Sequence, residues 1–183
     1  MDQRESLRQV ALGSVRYRAI GVARILFGAV WAIDALLKWQ PSFSAKLAGY
    51  LTDAARDRAP WVVSWVHLWL GMVTLAPTTF GVAVALIETV IAVGLLTGAF
   101  SNLIHIGGGI FSLFLWSTAE GFGWPGAPGP SGAGTALCYF ILFLVLFAVR
   151  AGTCMGMDRA LTPRLGRLGF LASGPLTADQ SEE

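Results

Sequence analysis

Two charged residues lie inside long apolar stretches, where an ordinary soluble protein would not place them. Glu88 lies in the middle of the apolar run 79–99, and Arg24 lies within the run 19–39. Ionisable groups at such positions are costly, and they usually face a partner, a cavity or a substrate path. We therefore take Glu88 and Arg24 as candidate catalytic residues, with Glu88 accepting or relaying a proton.

The polar residues of the first run share one helical face. At about 100° per residue, Arg24, Trp31, Asp34 and Lys38 fall within an arc of about 80°. Asp34 and Lys38 are four residues apart, so they can form an ion pair on a helix. Asp34, Lys38 and Trp31 are therefore candidate substrate-binding residues, with Arg24 and Lys38 supplying positive charge.

Small residues surround Glu88 on its own helical face, namely Gly81, Ala85 and Ala92. Such residues let a neighbouring helix approach closely. From the rise of an α-helix, Arg24 lies roughly 8 Å and Glu88 roughly 16 Å from the cytoplasmic ends of their runs. A long arginine can span this difference, so we expect a buried Arg24–Glu88 ion pair. The alternative is a pair that serves only to fix the helix register.

Two further residues are candidates for substrate binding. His105 has Gly108 and Gly109 on its own face, which predicts a groove that could admit a flat ring. The alternative is a histidine bonded to a neighbouring carbonyl, with the glycines serving close packing. Glu120 opens a loop rich in glycine and proline and could face the outer mouth of the bundle near Lys38. The alternative there is a solvated loop carboxylate.

The composition points to a membrane rather than to water. Only 13% of the residues are charged, and the mean hydropathy is +0.63. Between Trp61 and Val149 the only charges are Glu88 and Glu120. Too little of this stretch could face water, which excludes an ordinary soluble enzyme, a disulfide scaffold and a disordered chain. Basic and aromatic residues are not interleaved as in nucleic-acid-binding proteins, so we expect no nucleic-acid partner.

Four runs are long enough, or nearly so, to cross the hydrocarbon layer of a bilayer. They comprise residues 19–39, 79–99, 101–118 and 134–150. Residues 61–75 are short for a span and carry three tryptophans, which favours an interfacial helix; a fifth span is the alternative. The predicted fold is an all-α, integral membrane four-helix bundle with an additional short interfacial helix between spans 1 and 2.

The basic residues predict the topology. Four arginines precede the first span and four follow the last, whereas the first loop holds four basic residues and the other two loops hold none. This pattern favours both termini on the cytoplasmic side of the plasma membrane in a multi-pass protein. We divide the chain into a basic cytoplasmic segment (1–18), a membrane domain (19–150) and a cytoplasmic tail (151–183). Residues 121–134 are predicted to form an external loop.

Motifs for common cofactors are missing from the sequence. It contains no P-loop, no HExxH and no cysteine spacing typical of iron–sulfur clusters. The predicted topology puts His67 and His105 on opposite sides of the membrane, so they could not bind one haem iron together. We therefore expect no haem, flavin or metal site in this chain.

These features together resemble the DoxX/DoxD family of small four-span membrane proteins. The resemblance rests on a charged first span, a carboxylate in the second span followed by VGLLTG, and an EGFGWPGAPGP loop before a final apolar span. The residues concerned in the first two spans are Arg24, Gly28, Asp34, Lys38 and Glu88. The resemblance implies a membrane subunit of a quinone-linked oxidoreductase, because the family includes subunits of thiosulfate:quinone oxidoreductase.

The expected function follows from this resemblance together with the charged face of the first span. A quinone would be the cofactor, and the lipid bilayer and a partner redox subunit would be the partners. Arg24 and Lys38 would bind a quinone oxygen or a small anion. The main alternative is a non-catalytic membrane scaffold or assembly subunit for a soluble redox or metal-handling partner. A small transporter using the same charges is a third hypothesis.

Overall fold

The computed structural model describes residues 3–124 and 134–173, and all regular secondary structure in these ranges is helical. The described ranges contain seven α-helices followed by a 3-10 helix, Gly166–Leu171. The α-helices are α1 Gln3–Lys38, α2 Pro41–Ala55, α3 Pro60–Leu75, α4 Pro77–Thr97, α5 Ser101–Thr118, α6 Thr135–Ala148 and α7 Asp158–Leu165. The predicted all-α class is confirmed.

Proline and glycine define several helix boundaries. Pro41, Pro60 and Pro77 each occupy the first turn of a helix, where the missing backbone N–H has no intrahelical acceptor to lose. Ala76 leaves the helical conformation between α3 and α4. Gly98 ends α4 with a φ of 64°, a left-handed conformation that glycine adopts without steric strain.

The main core lies between α1, α4, α5 and α6. Helix α1 packs chiefly on α4, and α5 packs chiefly on α6. Gly28 makes the first of these contacts possible, because a Cβ at this position would lie 3.0 Å from Leu95 Cβ and 3.0 Å from the backbone nitrogen of Leu96. The largest buried residues of this core are Phe27, Trp31, Leu95, Phe111 and Phe143.

Helices α2 and α3 form a second, smaller core. It contains Leu51, Val62 and Val66, among others, with Phe80 and Phe122 packed against it. The prediction of a loop after Lys38 is wrong for α2, which is a helix. The helix starts at a proline and buries one apolar face, which includes Phe43 and Leu51, against other helices.

Two helical segments are long and apolar enough to cross a membrane. They are Gly13–Lys38 of α1, with a mean hydropathy of 1.9, and α4, with a mean hydropathy of 2.2. The predicted spans at 101–118 and 134–150 correspond closely to α5 and α6, and the predicted interfacial helix corresponds to α3. Helices α5 and α6 do not meet the same criterion of length and hydropathy. A four-span bundle with an interfacial helix therefore remains a prediction.

The ends of the chain differ in part from the expected division. Helix α1 runs without a break through residue 18, where the basic segment was expected to end. Residues 151–173 of the predicted tail fold against one end of the bundle, through α7 and the 3-10 helix. Residues 125–133 of the predicted external loop and 174–183 of the tail lie outside the described residues.

Candidate functional site

Three charged side chains meet where the end of α1 packs against the middle of α4. Lys38, the last residue of α1, places its Nζ 2.8 Å from Asp34 Oδ1 and 3.4 Å from Glu88 Oε1. The Asp34–Lys38 pair forms as its spacing of four residues predicts. The Glu88 side chain is 0% exposed, whereas that of Asp34 is 43% exposed. We call these three residues the carboxylate–lysine triad.

The small residues of α4 explain how Glu88 comes to be buried. Gly81, Ala85 and Ala92 are buried on the same face of the helix. Gly81 packs directly against Ser44 of α2. The Glu88 carboxylate therefore faces protein, as the pattern of small residues predicts.

The triad has an unequal charge balance and free hydrogen-bonding capacity. With all three groups ionised, it carries one more negative than positive charge. Lys38 lies at ion-pair distance from Glu88, but neither Glu88 oxygen accepts a well-oriented hydrogen bond from the described part of the chain. Buried carboxylate oxygens are nearly always hydrogen-bonded. The Glu88 carboxylate can therefore bind a proton or accept a hydrogen bond from a polar ligand.

An aromatic group adjoins the triad. Trp31 is buried on the same face of α1, and its ring centroid lies 5.7 Å from that of Tyr139 and 6.3 Å from that of Phe111. Its indole Nε1 is buried and has no acceptor among residues 3–124 and 134–173. Tyr139 interacts electrostatically with Asp34 and Lys38. Sequence reasoning missed Tyr139, although it is the only tyrosine in the run 134–150.

The predicted Arg24–Glu88 ion pair is wrong. Arg24 is fully buried, but its guanidinium donates to backbone carbonyls: Nη1 to Leu95 O at 2.6 Å, and Nη2 to Met155 O at 3.2 Å and Cys154 O at 3.4 Å. Helices α1 and α4 are antiparallel, and their register puts Arg24 beside the end of α4. Glu88 lies about ten residues, or roughly 15 Å, further along that helix.

Asp158 is the carboxylate that accompanies Arg24, and sequence reasoning missed it. It is fully buried and interacts electrostatically with Arg24. Its Oδ2 accepts hydrogen bonds from the Ser101 backbone N–H at 3.0 Å and from the Ser173 hydroxyl at 2.8 Å, so it caps the start of α5. Nothing in the sequence distinguishes Asp158 from a solvated tail residue, because its burial depends on the tail folding back.

His105 lies at the Arg24 end of the bundle, away from the triad. Its side chain is buried, and neither ring nitrogen has a hydrogen-bond partner among the described residues. Arg24 and Asp158 are its charged neighbours. The predicted groove is not open, because the ring of Phe143 fills the space beside Gly108. Glycine serving close packing, one part of the alternative, describes this position, but the other part, a hydrogen bond from His105 to a carbonyl, is not found among the described residues.

Glu120 has a structural position rather than the expected place at the mouth of the bundle. Its carboxylate accepts hydrogen bonds from the backbone N–H groups of Gly134 at 2.7 Å and Ala136 at 3.0 Å. These are unsatisfied donors at the start of α6, and a negative charge there also interacts favourably with the helix dipole. The sequence does not reveal this capping role, because the two N–H groups that donate to Glu120 follow it by 14 and 16 residues.

Removal of this cap gives a direct test. We expect Glu120→Ala to lower the free energy of unfolding by about 1–2 kcal/mol, because two backbone donors lose a charged acceptor. The measurement is chemical unfolding in detergent micelles followed by circular dichroism. Asp53→Ala, which removes an exposed carboxylate on α2, is the control and should change stability much less. Equal losses in the two variants would contradict the capping role.

The geometry leaves the Glu88 carboxylate free to hold a proton beside the partly buried ammonium group of Lys38. The part of the chain that the structure describes contains no group of three or more His, Cys, Asp or Glu side chains that could hold a metal ion. Of the seven candidate residues, Asp34, Lys38 and Glu88 come together. Trp31 lies in the neighbouring aromatic core, and Arg24, His105 and Glu120 lie elsewhere. Comparisons with protein-family models, with curated proteins and with solved structures find no match to this chain.

Proposed function

We propose that this chain is a membrane subunit of a quinone-linked oxidoreductase, and that the carboxylate–lysine triad forms its quinone site. The observation that carries the proposal is the fully buried Glu88 carboxylate, 3.4 Å from the Lys38 ammonium and without a hydrogen-bond donor in the described residues. The proposal includes a place in the plasma membrane, with four spans and both termini in the cytoplasm. Two helical segments long and apolar enough to cross a membrane support this placement.

The residues around the triad fit a flat ring with polar oxygens. Lys38 can donate a hydrogen bond to a carbonyl oxygen while it remains close to Asp34 and Glu88. Tyr139 interacts electrostatically with Asp34 and Lys38, and its ring packs against that of the buried Trp31. A bound quinone would accept two electrons and two protons. Glu88 can hold one of these protons, since protonation removes the excess negative charge of the triad.

The chain needs a partner for the electrons. The resemblance described above implies a sulfur compound of the thiosulfate type as the electron donor, oxidised at a partner redox subunit. Within this arrangement, the residues of this chain bind the ring, orient it and hold a proton. They do not carry electrons themselves.

A non-catalytic scaffold is the second candidate function. The observation that favours it is that other charged residues of the bundle form hydrogen bonds with the backbone. Arg24, Asp158 and Glu120 all bind backbone groups at helix ends, as residues with structural roles do. In this case the chain would hold a soluble redox or metal-handling partner at the membrane.

Quinone binding distinguishes these functions. The full chain is purified in lipid nanodiscs, and retained quinone and the affinity for added ubiquinone or menaquinone are measured. We expect the unmodified chain to bind quinone. We expect Glu88→Gln to bind the reduced quinol, whose hydroxyl groups can donate to the Glu88 carboxylate, at least about tenfold more weakly, because a charge-assisted hydrogen bond is lost. Asp53→Asn, an exposed carboxylate on α2, is the matched control and should leave the affinity unchanged.

Two results would contradict the proposal. One is the absence of measurable quinone binding by a folded chain, and co-purification of a soluble partner would then favour the scaffold. The other is equal affinity in the unmodified chain and Glu88→Gln, which would place any bound quinone away from the triad.

A further inference from the structure

The segment after α6 is held firmly against the first half of α1. The Tyr17 hydroxyl donates to Thr153 O and accepts a hydrogen bond from the Met155 backbone N–H at 3.2 Å. Near its other end, Asn102 Nδ2 donates to Phe170 O at 3.0 Å. This part of the chain, residues 150–173, therefore has a defined surface rather than that of a loose tail.

That surface is strongly basic. Five arginines are exposed on it or on the adjoining part of α1, and none of the ion pairs among the described residues involves them. In residues 13–24 and 150–173 the one acidic residue is Asp158, which is buried and bound to Ser101 and Ser173. We call the five exposed arginines the basic end: Arg16, Arg18, Arg159, Arg164 and Arg167.

Large apolar side chains lie among these arginines. Met155, Met157, Leu168 and Phe170 are all more than half exposed. Exposed apolar groups next to arginines are typical of segments that lie at a membrane surface. There the apolar side chains contact the acyl chains, and the arginines contact the headgroups. A surface built to bind a small dissolved anion does not need the apolar groups.

The height of the basic end in the bundle matches the headgroup layer. Met157 N donates to Thr97 O, and Asp158 N donates to Gly98 O. The segment 150–173 therefore packs against the C-terminal end of α4. Arg16 and Arg18 lie roughly 10 Å beyond Arg24 along α1. If α4 spans the hydrocarbon layer, the basic end falls in the polar layer next to it.

We propose that the basic end is a binding surface for anionic phospholipid headgroups, with the exposed methionine, leucine and phenylalanine side chains contacting the acyl chains. Arginines near a bilayer surface attract anionic lipids strongly, and the attraction weakens with salt. The proposal rests on the membrane placement contained in the proposed function. It does not depend on the quinone site, which lies at the other end of α1.

The test uses the full chain, purified in maltoside micelles and depleted of native lipid. Binding is measured with an acyl-labelled phosphatidylglycerol and with a phosphatidylcholine of the same chains. We expect a clear preference for phosphatidylglycerol that falls as salt is raised. The double variant Arg164→Gln/Arg167→Gln should bind phosphatidylglycerol about tenfold more weakly or worse.

A charge-matched variant on α2 provides the control. Lys46→Gln/Arg56→Gln removes two exposed positive charges far along the chain from the basic end and should leave the affinity within about twofold. Equal thermal stability of both double variants without added lipid shows that folding is unaffected.

Three results would overturn the proposal. The first is equal binding of the two lipids, and the second is an equal loss of affinity in both double variants. The third is competition by inorganic phosphate at the same concentration as the lipid, which would indicate a site for small anions. Glu88→Gln separates the two proposals. If this variant loses quinone binding but still binds phosphatidylglycerol, the lipid-binding proposal is unaffected.

Discussion

Replacing Lys38 with methionine is expected to destabilise the chain by about 3–5 kcal/mol, because it leaves the Glu88 carboxylate buried without a positive partner. Methionine is close to lysine in length and keeps most of the packing, so the loss should report the charge rather than a cavity. Removing one member of a buried ion pair is far more harmful than removing both. The measurement is equilibrium unfolding in detergent micelles, followed by helical circular dichroism.

A double variant identifies the cause of this loss. Lys38→Met/Glu88→Gln removes both charges and should recover most of the lost stability. Lys46→Met, at an exposed position on α2, should change stability by less than about 0.5 kcal/mol. The ion pair would be refuted as a source of stability if Lys38→Met unfolded at the same denaturant concentration as the unmodified chain.

The second large effect concerns Arg24. Arg24→Met removes the hydrogen bonds from a charged donor to the carbonyls of Leu95, Cys154 and Met155, each of which is typically worth about 1.5–3 kcal/mol. We expect the segment that contains Cys154 to open more often as a result. Cys154 is buried, and burial raises the pKa of its thiol above the ordinary value. In the closed protein, maleimide should therefore label it slowly.

The labelling rate of Cys154 measures this opening. In a Cys138→Ser background, which removes the exposed second thiol, Arg24→Met should raise the rate by at least about tenfold. Arg24→Lys should give an intermediate rate, because lysine keeps the charge but reaches fewer carbonyls. Tyr17→Phe removes hydrogen bonds to the same segment from an exposed position and should have a smaller effect. An unchanged labelling rate in Arg24→Met would contradict the clamping role of Arg24.

Periodicity in the sequence was sufficient to predict part of the site. The spacing of Asp34 and Lys38 predicted their ion pair, and the small residues around Glu88 predicted its burial. Both features depend on one helix at a time, since residues three or four apart share a face whatever the rest of the fold does. The boundaries of α3, α4 and α5 were predicted to within two residues for the same reason, with proline and glycine marking several ends.

Features that depend on the relative height of two helices could not be predicted in this way. The prediction of an Arg24–Glu88 pair assumes that the cytoplasmic ends of the two runs, the start of 19–39 and the end of 79–99, lie at the same level. Their register is set instead by Gly28 against Leu95 and by the tail segment, which are contacts between distant parts of the chain. The capping roles of Asp158 and Glu120 were missed for the same reason. Hydrogen bonds across 57 residues of sequence, as between Asp158 and Ser101, leave no periodic pattern.

The uninterrupted length of α1 has a mechanical consequence. From its contact with the end of α4 at Arg24, the helix extends roughly 32 Å back to Gln3 and roughly 21 Å forward to Lys38. If α1 tilted as a rigid rod about this contact, its two ends would move in opposite directions. A tilt of about 10° would move the Gln3 end by about 5 Å and Lys38 by nearly 4 Å in the opposite direction. A displacement of that size exceeds the 3.4 Å distance between Lys38 Nζ and Glu88 Oε1. Such a tilt would therefore change the contact between Lys38 and Glu88.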